Sequence, residues 1–123
     1  MTLRRLAVLQ WVGLLAGAAA WAVQFLAGYW ITQAECGSGG SRLANDPWQA
    51  GLMAASALCV AGAEAVAITV VRRTRGTSYA TDGPPLGRIR FFALAAVAAN
   101  AAFLMIILLS GVAALSAAAC RQA

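Results

Sequence analysis

Three stretches of the chain run apolar for longer than any soluble helix needs. They cover about 6–31, 48–71 and 90–119. Each exceeds the roughly 20 residues that carry a helix across about 30 Å of hydrocarbon. Between them lie two polar, Gly- and Pro-containing segments, "TQAECGSGGSRLANDPWQ" and "RRTRGTSYATDGPPLGRIR". The pattern predicts an all-α integral membrane protein. Three transmembrane helices form one domain over residues 1–123, with no repeat. Asp46 before Pro47 reads as a helix start, a capping side chain followed by a residue with no N–H to satisfy. Gly83, Pro84, Pro85 and Gly87 read as helix breakers ahead of the third span. Trp11, Tyr29, Trp30 and Trp48 sit near the ends of the first two spans, where interfacial aromatic anchors are expected.

Composition agrees with the pattern. Of 123 residues, 62% are hydrophobic and 11% charged, too apolar a balance for a soluble domain of this size. The net charge of +5 invites a nucleic-acid reading, but the placement of the cations argues against it. All nine are Arg. Arg4, Arg5, Arg72, Arg73, Arg75, Arg88 and Arg90 fall on one side of the predicted topology, and only Arg42 and Arg121 on the other. By the positive-inside rule this predicts a cytoplasmic N-terminus and 72–90 loop, with the 32–47 loop and the C-terminus facing the periplasm or outside. The N-terminal segment resembles a signal peptide at first. Its apolar run continues through Val23, Phe25, Leu26 and Ile31, which predicts a retained helix.

Helical periodicity sorts the faces. Gln10, Gly13, Gly17, Trp21, Gln24 and Gly28 share one side of the first span. Gly13 and Gly17 form a small-xxx-small pair that admits a close neighbour, and Gln10 and Gln24 can hydrogen-bond across an interface. This predicts a packing face, against the alternative of a cofactor wall around Trp21. On the third span Asn100 shares a face with Ala93, Ala96, Leu104, Ile107 and Gly111. On the second, Glu64 shares one with Met53, Ala57, Val60, Ala61 and Ile68.

Glu64 is the one carboxylate between Trp48 and Val71. It lies about 12 Å from Arg72 along the helix, and Asn100 lies about 15 Å from Arg90. The matching depths predict a Glu64–Asn100 hydrogen bond. An ionised carboxylate at that depth is expensive, so the reading is a protonated group bonding a neighbouring helix or subunit, with a side chain snorkelling toward the inner Arg residues as an alternative. Proton or cation transport through a homo-oligomer is the sharper alternative. It lacks a series of titratable groups, because the chain has no His, no Lys and no second acid at membrane depth.

The topology places Cys36 and Cys120 on one outer face, where an oxidising compartment favours a Cys36–Cys120 disulfide over two free thiols. Cys59, inside the second span, reads as a small apolar filler. With no His, the cysteine pair is a poor metal site. Met1, Met53 and Met105 have no evident axial partner for haem. No nucleophile–base pair is present, so the reading is a non-enzyme with no metal and no cofactor of its own, and with phospholipid as a candidate ligand.

Two segments carry a resemblance. "GLLAGAAAWAVQFLAGYWITQAEC" (Gly13 to Cys36) has a Gly-rich start, an Ala-Trp pair, a polar residue three further on, a Tyr and a terminal Cys. "RIRFFALAAVAANAAFLMIILLSGVAALSAAAC" (Arg88 to Cys120) has Arg-Phe, Phe-Leu-x-Ile, a Gly and a closing Cys. Together they resemble small three-helix bacterial membrane proteins encoded beside haem–copper cytochrome c oxidase genes. Ala18 stands where that pattern often has Pro, and Gln24 where it often has His, which weakens a metal or haem role at that position. The resemblance implies association with the larger subunits of a respiratory complex rather than catalysis. An oxidase assembly factor handling copper through free Cys36 and Cys120 is a further alternative.

Overall fold

A computed structural model describes residues 2–36, 45–77 and 84–116. These form three helices: α1 over Leu3–Cys36, α2 over Asn45–Arg73 and α3 over Leu86–Ser116. All three are long and apolar enough to cross a membrane. Less than a third of each span's most apolar window is buried inside the bundle, so the outward surfaces demand a lipid or protein environment. The described chain is all-helical, as the pattern predicts.

The helix ends follow local chemistry. Thr2 caps α1: its hydroxyl accepts from the Arg5 N–H at 3.4 Å and its carbonyl from the Leu6 N–H at 3.1 Å. Pro47 sits in the first turn of α2, where its missing N–H has no partner to lose. The side chain of Asp46, read as the cap, lies outside the described residues. α2 ends in a turn over 74–76, and Gly76 takes the left-handed conformation there, at φ 87°. α3 starts one turn earlier than the breaker reading allows. The Ile89 N–H donates to the Pro85 carbonyl at 3.1 Å, so Gly87 lies inside the first turn and is buried. Pro85 precedes that turn and terminates nothing within it.

Every helix packs on both others, with α2 antiparallel to α1 and α3. Two apolar clusters bracket the core. Leu6, Val70, Ile89 and Ala93 close the Arg-rich end, and Ala20, Val60 and Ile107 fill the other half. The buried positions recur at alternating three and four residues. They are Leu6, Gln10, Gly13, Gly17, Ala20 and Gln24 on α1, with Gln49, Ser56, Val60, Ala63, Ala67 and Val70 on α2. On α3 they are Ile89, Ala93, Ala96, Asn100, Ile107 and Gly111. A repeat near 3.5 is the seam of coiled-coil-like packing.

That repeat corrects one face. The periodicity argument centres α2 on Glu64, whereas the core line runs through Val60, Ala63 and Ala67. Glu64, Ala57 and Ile68 are half-buried on its flank, and Ala61 is exposed. Trp21 is likewise displaced: Ala20 takes the buried position and Trp21 is 37% exposed, its ring against Phe103 at 6.0 Å.

Candidate functional site

Between the two apolar clusters the helices meet through small and amide residues. The Gly13 backbone lies so close to α2 that a Cβ there would sit 3.3 Å from both the Cβ and the backbone nitrogen of Ala67. One turn on, a Cβ at Gly17 would collide with the Asn100 Oδ1. Asn100, 1% exposed, donates from Nδ2 to the Gly13 carbonyl at 2.9 Å. The glycine pair thus makes room for the amide, and the amide ties α3 to α1.

This revises the expected pairing. Asn100 spends its donor on Gly13, not on Glu64. The Oε2 of Glu64 is buried with no hydrogen-bond partner, and so is the Oδ1 of Asn100. Among the described residues neither atom finds a partner. The carboxylate on the flank of α2 is therefore an unmet hydrogen-bonding group at membrane depth.

A second polar cluster lies further along α1. Gln24, 7% exposed, donates from Nε2 to the Ile107 carbonyl at 3.2 Å and to Ser110 Oγ at 3.4 Å, while its Oε1 has no partner. Gln49 of α2, 6% exposed, donates from Nε2 to the Gly28 carbonyl at 3.1 Å and to Thr32 Oγ1 at 3.3 Å. Gly28 permits this approach, since a Cβ there would stand 3.2 Å from Gln49 Oε1. At Gly111 a Cβ would meet the Met53 side chain. Between these groups opens a groove of about 290 Å³, with Phe25 and Tyr29 on its wall.

Trp11, Tyr29, Trp30 and Trp48, expected from sequence as interface anchors, are all exposed. Trp11 stacks obliquely on Phe92 at 5.8 Å. At the Arg-rich end, Arg90 turns inward. Its Nη1 donates to the carbonyls of Val71 at 3.2 Å and Thr74 at 3.0 Å, capping α2 with a cation. Cys36 closes α1, but Cys120 lies outside the described residues, and so does their expected bridge. Cys59 is a free thiol on the outward surface of α2, not a filler in the core. Among the described residues no group of three or more His, Cys, Asp or Glu gathers for a metal.

Of the polar residues singled out from sequence, Gln24 and Asn100 join α1 to α3, and Glu64 joins neither. Gln49, Thr32 and Ser110 went unnoticed. A seven-residue count backward from Ala63 reaches Ser56 and then Gln49, so the seam itself held the signal. Comparison with protein-family models, curated proteins and solved structures gives no match.

Proposed function

We propose that this chain is a non-catalytic accessory subunit that packs beside larger subunits of a membrane complex. The haem–copper cytochrome c oxidase implied by the resemblance is the partner we favour. The resemblance implies a bacterial inner membrane as the setting, and the charge asymmetry supports an orientation with the Arg-rich end in the cytoplasm.

One observation carries the reading. The outward face of α2 is rich in small residues: Gly51, Ala55, Cys59, Gly62, Ala65 and Thr69 are all exposed, at spacings of three and four, with Leu58 the large side chain among them. A Cβ on Gly51 or Gly62 would have nothing within 4 Å. Nothing in the bundle requires these glycines, although each weakens a helix by roughly 0.5–1 kcal/mol relative to Ala. The outward faces of α1 and α3 differ, presenting Val8, Trp11, Leu15, Phe91, Met105 and Leu109 among other large side chains. Bulky side chains suit lipid, and a glycine-lined face suits another helix at close range.

Mild-detergent purification from the native membrane tests this. The chain is expected to migrate with larger subunits and with haem absorbance. Migration alone, never with haem, overturns the oxidase assignment. Gly62→Leu is expected to abolish co-migration while leaving the isolated bundle's melting unchanged.

A further inference from the structure

Toward the Arg-rich end a slot opens between α1 and α2. Leu9 lines it from α1, and Ala65, Val66 and Thr69 line it from α2. The Thr69 hydroxyl donates to the Ala65 carbonyl at 2.7 Å, so it is spent within its own helix and the slot is mainly apolar. The volume is about 180 Å³, too little for another helix, which is about 10 Å across. Leu9 also borders a wider groove of about 620 Å³, which reaches the start of α1 past Val8, Arg5, Arg4 and Thr2. Helix register sets the chemistry above the slot. Because α2 runs antiparallel to α1, four residues back from Leu9 and four on from Thr69 lead toward the same end. Those positions are Arg5 and Arg73, each one turn, about 6 Å, beyond the slot on its own helix. Leu6 and Val70 meet in the core beside them, which fixes the register. Both Arg are exposed. Arg90 spends its guanidinium on the carbonyls of Val71 and Thr74, whereas those of Arg5 and Arg73 bond nothing among the described residues. In sequence this end carries seven Arg against one acid, Asp82.

We infer that this groove binds an anionic phospholipid, its phosphate held by Arg5 and Arg73 and one acyl chain lying in the slot along Leu9, Val66 and Thr69. A guanidinium donates two parallel N–H bonds to phosphate oxygens, and two such groups stand at the mouth of the slot. Attraction of anionic lipid by Arg near a membrane surface adds to those bonds. The apolar slot runs from the charged end toward the middle of the bundle, the direction that an acyl chain takes from its headgroup. Charge and slot together select a lipid over a free phosphate, which would meet the Arg pair and leave the slot unfilled.

The test uses delipidated full-length protein without partner subunits, titrated with single lipids of equal chain length and read by native mass spectrometry. Phosphatidylglycerol, with a net negative charge, is expected to bind about tenfold tighter than zwitterionic phosphatidylcholine. Arg5→Gln and Arg73→Gln are each expected to weaken phosphatidylglycerol about fivefold, with the melting of the lipid-free protein retained. Arg88→Gln removes the same charge from the same end, but on α3, which lines neither wall of the slot. It is expected to leave binding unchanged. Ala65→Phe narrows the slot and is expected to weaken the lipid with all Arg in place. Excess glycerol phosphate, the anion without its chains, is expected not to displace the lipid. Equal binding of the two lipids overturns the proposal, as does unchanged binding in Ala65→Phe. Equal losses in Arg5→Gln and Arg88→Gln overturn it in favour of diffuse attraction to the whole Arg-rich end. Displacement by glycerol phosphate overturns it in favour of a free phosphate ester. None of these outcomes depends on whether the chain belongs to an oxidase.

Discussion

At the residue scale the bundle is decided by which glycines have neighbours. Gly17 faces the Asn100 amide, and a methyl group there must displace the side chain that bonds the Gly13 carbonyl. Gly17→Ala is expected to destabilise the isolated protein by about 1–3 kcal/mol, through overpacking and the lost hydrogen bond. Gly62→Ala meets open space and is expected to be neutral or to stabilise by roughly 0.5–1 kcal/mol. Unfolding of both variants in detergent checks the pair, and equal effects would contradict the close-approach account. Glu64 gives the opposite kind of test. Its Oε2 bonds nothing in the bundle, so Glu64→Leu should leave the isolated melting temperature unchanged or raised. A clear fall would mean that the carboxyl has a partner inside the chain.

At the element scale the ends matter more than the middles. The interior hydrogen bonds of a membrane helix are retained whatever surrounds it, because hydrocarbon offers no substitute. The last carbonyls of α2 are different, since they rely on Arg90, Thr74 and Gly76. Removing the cation by Arg90→Leu is expected to weaken the α2 terminus by about 0.5–1 kcal/mol. Hydrogen exchange should then accelerate at the amides of 74–77, with the amides of 56–67 unaffected. Uniform acceleration would show that Arg90 supports the whole bundle rather than one helix end.

At the scale of the whole molecule, charge asymmetry predicts the orientation. Seven Arg on one side against two on the other predicts that Thr77 lies in the cytoplasm. A Thr77→Cys variant is expected to resist a membrane-impermeant maleimide on intact cells and to react after permeabilisation. Labelling of intact cells would reverse the topology. The Cys36–Cys120 bridge expected from sequence belongs to the same scale, as it would tie the end of α1 to the C-terminal segment. Protein denatured without reductant is expected to take up one alkyl group, at Cys59, and three after reduction. Three without reductant would favour free thiols and the copper-handling alternative.

Sequence alone determined the three spans, because a helix must satisfy its own backbone in hydrocarbon and needs about 20 apolar residues to do so. It also determined the packing faces of α1 and α3, since Gly13, Gly17, Gln24, Asn100 and Gly111 stand out against bulky neighbours. The α2 face was harder to read: the residue that stands out most, Glu64, lies off the seam that Gln49 and Ser56 mark. Tertiary structure alone decided the partners of the polar groups. Matching depth put Glu64 and Asn100 together, but depth is one coordinate, and the rotation of each helix about its axis sets which groups meet. The 3.5-residue seam turned Asn100 toward Gly13 and brought Gln49 against Gly28. It also left Gln24 Oε1 and Glu64 Oε2 without donors, which no linear pattern records.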